Sequence, residues 1–205
     1  MKYLVTTPWW LRMFYPGCLW EMPAKGNKVY LSFDDGPHEE ATPFVLDILK
    51  KFDAKATFFC IGKNVAAYPL LYRRITEEGH AVGNHTQHHL NGWKTGNTAY
   101  FDDITEAAGF IKSGYFRPPY GRIRFSQVSH LKKNMKLQPV MWSVISGDFD
   151  KDISGDQCAD NVIRNMRPGS IVVFHDSARA YDKIRYALPK VMYEIVRRGW
   201  VGEKL

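Results

Sequence analysis

Apolar and polar positions along the chain change period several times, and each change predicts an element. Val29-Tyr30-Leu31 alternates as a strand does, and Gly36-Pro37 stops it. From Ala41 to Phe52, Val45, Leu46, Leu49 and Phe52 fall at helical spacing. Ala56–Ile61 is an apolar run closed by Gly62, which predicts a buried strand. A helix follows over Asn64–Glu78, with Pro69 near its start or between two short pieces and Gly79 as C-cap. Ala81–Gly83 is a short strand, and Asn91–Gly96 a loop. Thr98 is placed to cap a helix to about Lys112, with Phe101, Ile104, Ala108 and Ile111 on one face. Tyr115-Phe116 then enters Arg117-Pro118-Pro119-Tyr120-Gly121, where two prolines forbid a helix. Phe125–Met135 is helical, and Leu137–Val144 is a strand with an irregular entry at Pro139. Ser154 or Asp156 opens a helix to Met166, and Ser170–Phe174 is a strand. A last helix covers about Asp182–Arg198, bent or divided at Pro189.

Strand and helix thus alternate about six or seven times, which predicts an α/β fold on a mostly parallel sheet. No repeat, low-complexity stretch or linker divides the chain, so one domain over residues 1–205 is expected, with residues 1–27 an N-terminal segment packed on it. That segment is rich in aromatics: Trp9, Trp10, Phe14, Tyr15 and Trp20. Pro8, Arg12 and Pro16 interrupt it and no small-residue cleavage site follows, so it does not read as a signal peptide. An interfacial aromatic anchor is its other reading. No apolar run reaches bilayer length, and a cytoplasmic location, with peripheral membrane association as an option, is the expectation.

Composition adds little beyond this. Apolar and charged fractions of 45% and 24% are ordinary for a globular protein. Three scattered cysteines, Cys18, Cys60 and Cys158, argue against a disulfide framework or a structural zinc cluster. The net charge of +7 favours an anionic substrate or surface, but no basic tail or nucleic-acid motif accompanies it.

The chemistry lies where strands end. Asp34-Asp35, His85, Arg117, Asp148 and His175 each follow a different expected strand, as residues of a barrel active site do. Adjacent Asp34 and Asp35 repel and stay ionised only beside positive charge. His85-Thr86-Gln87-His88-His89 would set His85 and His89 on one face if it wound into a helical turn, a spacing that can ligate zinc or a similar ion. One Asp could complete the ligand set while the other takes a proton from water; His88 is solvated or stands behind the ligands. Asp34 is a candidate partner for Arg117, a pairing that would hold a base in place. His175 could be a general acid, with Asp148 orienting it or raising its pKa.

Together these residues resemble the polysaccharide deacetylase family, the NodB-homology group known as carbohydrate esterase family 4. Ser32-Phe33-Asp34-Asp35-Gly36-Pro37 matches its first motif, His85–His89 its second, Arg117–Gly121 its third and Val173-Phe174-His175 its fifth. The fourth departs: Ile145 and Phe149 stand where the family has an acid and a tryptophan, while Asp148 keeps the second acid. The resemblance implies a distorted (β/α)7 barrel, TIM-barrel-like, with its site at the C-terminal ends of the strands. It implies Asp34 as base, and Asp35, His85 and His89 as ligands of one divalent ion, Zn²⁺ before Co²⁺, Ni²⁺ or Fe²⁺. Arg117 positions the base, the Tyr120 N–H helps bind an oxyanion, His175 is the acid, and Asp148 supports Arg117 and His175. Pro118, Tyr120, Phe149 and Val173 would line the substrate pocket. The implied activity is hydrolysis of N-acetyl groups on amino sugars of a poly- or oligosaccharide. An acetyl ester, a lipid-linked amino sugar or a small cyclic amide are other substrates for the scaffold. A carbohydrate-binding protein without turnover is the alternative of another class.

Overall fold

The computed structural model describes residues 3–24 and 26–205. Its chain order is α1 (Trp9–Phe14), β1 (Lys28–Asp34), α2 (Ala41–Lys51), β2 (Thr57–Cys60), α3 (Gly62–Ala67), α4 (Pro69–Glu77), β3 (Ala81–Asn84), α5 (Asn97–Phe110), β4 (Tyr115–Phe116), α6 (Phe125–Lys133), β5 (Gln138–Pro139), β6 (Val144–Ile145), α7 (Gly155–Ile163), β7 (Ile171–His175), α8 (Tyr181–Arg197) and β8 (Val201–Glu203). The strands pair in the order β5-β4-β3-β2-β1-β7-β6, with β8 added beside the start of β1, and every pair is parallel. This is the distorted (β/α)7 barrel, left open between β5 and β6.

The two-residue period of a strand separates two cores. Val29, Leu31 and Phe33 of β1, with Val172 and Phe174 of β7, point outward into a cluster shared with α2, α7 and α8. Tyr30, Phe59 and Ile171 point into the barrel, with Val140. Each large side chain buried completely in this way contributes about 1.5–3 kcal/mol. Strand order and register thereby fix which residues reach the mouth.

The N-terminal segment packs where the barrel is open. Thr6 bridges Val144 on one side of the gap and Leu19 bridges Val140 on the other. Met1 and Lys2, part of the segment read from the sequence, lie outside the described residues. Among the described residues no helix is long and apolar enough to cross a membrane.

Several expected boundaries change. The expected strand Leu137–Val144 is two strands, β5 and β6; between them the Val140 and Met141 N–H groups bond the Phe116 and Leu19 carbonyls, while their own carbonyls accept from Arg117. Asn64–Glu78 divides into α3 and α4, with Pro69 in the first turn of the second. The cap of α5 is Gly96, not Thr98, and no side chain bonds there. Ser154 does cap α7, accepting from Gln157 N. Pro189 divides nothing: α8 runs through it, held by buried Leu188, Val191 and Met192.

Candidate active site

Register sets the level at which the chemistry stands. Asp34, last in β1, lies opposite His175, last in β7. Asn84, last in β3, lies opposite Phe116 of β4, so the next residues, His85 and Arg117, emerge side by side. Five loops then converge at the C-terminal ends of the strands, as a parallel barrel requires.

Arg117 is fully buried, and each of its three guanidinium nitrogens donates a hydrogen bond. Nη1 donates to Asp34 Oδ1 at 2.7 Å and to Ser32 Oγ at 2.8 Å. Nε and Nη2 donate to the carbonyls of Val140 and Met141 at 3.2 and 3.0 Å. The Phe59 ring lies 4.0 Å beneath it. Burial pulls the Arg117 pKa below its ordinary value, against the opposing pull of Asp34; an arginine there still carries its charge.

Asp35, His85 and His89 form a second group, with ligand atoms all within 4.8 Å of one another. Nε2 of His89 and of His85 stand 3.1 and 3.5 Å from Asp35 Oδ1. The far nitrogens are occupied: His85 Nδ1 by the Arg117 carbonyl at 2.8 Å, His89 Nδ1 by the Tyr120 hydroxyl at 3.1 Å. A carbonyl can only accept, so His85 carries its proton on Nδ1 and, when neutral, turns the Nε2 lone pair toward Asp35. Asp35 Oδ1 is buried without a hydrogen-bond partner. Two imidazoles and an orphaned carboxylate oxygen at this spacing fit a divalent cation. Burial works to raise the Asp35 pKa, but the two histidines and His175 hold it well below the ordinary carboxylate range.

No helical turn produces this cluster. Thr86 and His89 have φ of 64° and 59°, so the expected i, i+4 geometry is replaced by a left-handed loop. Such angles cost about 1–3 kcal/mol per residue and persist only where neighbours enforce them. Here Asn84 Oδ1 accepts from Thr86 N, and Thr86 Oγ1 accepts from Leu90 N. Asp103 of α5 accepts from the backbone N–H groups of Gln87 and His88 and pairs with His88 Nδ1 at 2.6 Å. Asp35 and Tyr120, at φ 80° and 61°, share the strained geometry. Among the described residues the Tyr120 N–H has no acceptor.

His175 receives Asp148 twice: Oδ2 accepts its backbone N–H and Oδ1 meets Nδ1, both at 2.7 Å. Burial would depress the imidazole, but Asp148 outweighs it and the pKa is pushed up to about 10. Phe149 packs edge-on to the His175 ring at 5.3 Å. By strand alternation Val173 shares the barrel-facing side with His175 and Ile171. Pro118, by contrast, is buried, while Tyr120 two residues on is exposed. One expected contact is missing: Asp148 bonds His175 but not Arg117, whose donors go to Ser32, Asp34, Val140 and Met141. Asp148 follows β6, beside β7 and on the far side of β1 from β4, which explains the separation.

Sequence reasoning gave no role to Asp103, Ser32 or Asp176. Asp176 is fully buried, and its pKa is pushed up to about 8, mainly by burial. It accepts from Gly36 N at 3.1 Å and Thr42 Oγ1 at 2.6 Å, and donates its own N–H to the Asp34 carbonyl. A Cβ on Gly36 would collide with its carboxylate, so Gly36 is required there. Its position directly after His175 was the available signal.

The sequence model of the family described as polysaccharide deacetylase matches residues 21–140. A peptidoglycan-N-acetylglucosamine deacetylase of Bacillus cereus is 33% identical over 187 residues, covering 88% of this chain and 87% of that protein. A chitooligosaccharide deacetylase of Azorhizobium caulinodans is 35% identical over 159 residues, covering 73% and 74%. The crystal structure of a peptidoglycan N-acetylglucosamine deacetylase in complex with 4-naphthalen-1-yl-N-oxidanyl-benzamide is similar at a TM-score of 0.88 and 32% identity, covering 97% of this chain and 95% of the other.

Proposed function

Since the chain belongs to the polysaccharide deacetylase family and is a polysaccharide N-deacetylase, we propose that it hydrolyses the N-acetyl amide of amino sugars in a glycan by a base and an acid beside one cation site. The observation that carries this is Asp34, fixed by Arg117 and adjacent in sequence to the Asp35–His85–His89 cluster, in register with His175.

Asp35, His85 and His89 would hold the ion, and zinc is the assignment that two imidazoles and a carboxylate support. When bound, the ion supplies positive charge that polarises the acetyl carbonyl and makes water more acidic. The rest falls to the chain. Asp34 takes the proton of the attacking water; Arg117 occupies Oδ1 and so orients the carboxylate. The Tyr120 N–H donates to the oxygen that becomes negative in the tetrahedral intermediate. His175, its Nδ1 held by Asp148, delivers a proton from Nε2 to the nitrogen as the C–N bond breaks. Acetate and a free amino sugar leave. Tyr120 and Phe149 would wall the sugar, with Val173 deeper beneath it and Pro118 buried in the same loop as Tyr120.

Acetate release from N-acetylglucosamine oligomers and peptidoglycan fragments by the metal-loaded protein tests this, with a chelated sample and Asp34→Asn as controls. Release that persists in either control would refute the role assignments. A cytoplasmic location, with a short or lipid-linked precursor as substrate, is the narrower proposal; the three free, buried thiols support it and cell fractionation tests it.

A further inference from the structure

Charge is distributed unevenly along the chain. Residues 107–147 contain seven lysines and arginines and no aspartate or glutamate. Of the chain's twelve arginines, nine are within ion-pair distance of a carboxylate among the described residues. The other three, Arg122, Arg124 and Arg179, all lie on loops that follow β4 or β7 at the active-site end. An exposed guanidinium left without a counter-charge beside a substrate mouth is available to an anionic ligand.

Arg122 is the best placed of the three. It follows Tyr120 by two residues and lies over the Trp93 ring at 4.4 Å. Trp93 follows His89 by four residues, and its indole N–H is fixed on the Ile123 carbonyl at 2.8 Å. The two loops that carry His89 and Tyr120 are therefore joined again further out, by Trp93 and Arg122. Among the described residues no hydrogen-bond acceptor meets the Arg122 guanidinium, and Trp93 remains 48% exposed. Arg124 is different: it spends its donors on Asn97 and the Trp93 carbonyl, and so holds the loop. The Tyr15 hydroxyl shares the Ile123 carbonyl, and the Tyr15 ring stacks on Phe125 at 4.4 Å. Beyond them runs a groove of about 350 Å³ lined by Tyr15, Phe125, Val128, Lys132 and Lys133. The groove runs along α6 from Phe125 at the active-site end to Lys132 and Lys133 in its last turn, so aromatic rings and cations without a carboxylate partner among the described residues lead from Tyr120 past Trp93 and Arg122 down the side of the barrel. The exposed acids Glu39 and Glu40 stand on the loop after β1, separated from β3 by β2.

We propose that this path, from Tyr120 over Trp93–Arg122 to Lys132 and Lys133, is a subsite for a glycan that carries carboxylates, so that the enzyme prefers an anionic N-acetylated strand to a neutral one. The inference rests on the deacetylase reading. Rings supply stacking surfaces for the sugars, and the guanidinium and ammonium groups meet the carboxylates.

The test compares a peptidoglycan disaccharide–peptide fragment with its carboxylates free against the same fragment methyl-esterified. Binding is measured by calorimetry on the metal-loaded protein, and acetate release on the same samples. The free acid is expected to bind about tenfold more tightly at low salt, since each exposed cation contributes about two- to fivefold, and to lose that preference at high salt. Arg122→Gln should lower the ratio two- to fivefold, and Arg122→Gln/Lys132→Gln/Lys133→Gln should abolish it. Arg185→Gln, paired with Asp182 on α8, should leave it intact. A uronate-containing N-acetylated oligomer shows whether the carboxylate belongs to a ring or to a substituent; tight binding by either form supports the subsite. Equal affinity for acid and ester, or a preference that survives the triple variant, overturns it. Acetate released equally well from both forms would end this inference and leave the deacetylase reading standing. Selective binding without acetate from any substrate would do the reverse.

Discussion

Arg117 Nη1 and Asp34 Oδ1 stand 2.7 Å apart where Arg117 is fully buried and Asp34 is 3% exposed. A buried pair of this kind is not a simple source of stability, because desolvation offsets much of the attraction. What it supplies is a fixed carboxylate. Arg117→Ala should leave Asp34 uncompensated and destabilise the fold by about 3–5 kcal/mol. Asp34→Asn keeps an acceptor for Nη1 but leaves the buried Arg117 without its counter-charge, so it should destabilise the fold less than Arg117→Ala does and lower kcat by about 10²–10⁴. Denaturant unfolding and acetate release separate the two effects; equal loss of stability in both variants would contradict the division.

The cation cluster makes its own prediction. His89→Ala and Asp35→Asn should each reduce bound zinc, measured by metal analysis after dialysis, and chelation should lower the melting temperature of the wild type but not of these variants. Unchanged stoichiometry would remove these residues from the ligand set.

Asp103 reaches the cation site only through the His88 loop. Asp103→Asn should weaken zinc binding by about 10–100-fold, as loss of such supporting groups does. His88→Ala, which leaves the backbone contacts to Gln87 and His88 in place, should cost less. If the two variants matched, the backbone contacts would not be what matters.

The pH profile should report His175. Its pKa, raised to about 10 by Asp148, keeps the imidazole protonated through neutrality, so loss of the acid appears as an alkaline limb. Asp148→Asn removes the opposing charge and should move that limb toward lower pH. The same linkage acts on stability. The His175–Asp148 contribution is fully present below the ordinary histidine pKa and is lost as pH rises toward 10. An alkaline limb unmoved in Asp148→Asn would assign it to another group.

Gly36 and Asp176 offer a structural check. Gly36→Ala places a methyl against the Asp176 carboxylate and should destabilise the protein by about 1–3 kcal/mol, read from urea unfolding. A neutral result would mean that the loop after β1 can move away from Asp176.

The order of residues is enough to predict the alternation of strand and helix, the mostly parallel sheet, and the candidate site residues at strand ends. These are local quantities: period two against period three to four, glycine and proline at boundaries, and paired acids or histidines directly after an apolar run. The second motif could be read as a candidate ligand set, but its geometry could not. A helical turn and a left-handed loop both bring His85 near His89, and the bonds from Asn84, Asp103, Leu90, Gly62 and Lys63 enforce the second. The division of residues 137–144 into β5 and β6 was hidden for a similar reason: its partners are distant, the Arg117 guanidinium taking the Val140 carbonyl from 23 residues away and Leu19 accepting the Met141 N–H. Asp148 could be placed beside His175 and Arg117 alike from sequence; strand order leaves it with His175 alone. Asp176 has no signal in sequence beyond following His175; burial and its bonds to Gly36, Thr42 and the Asp34 carbonyl are tertiary. Burial, register and long-range hydrogen bonds arise only when distant segments meet, so the tertiary structure decides them.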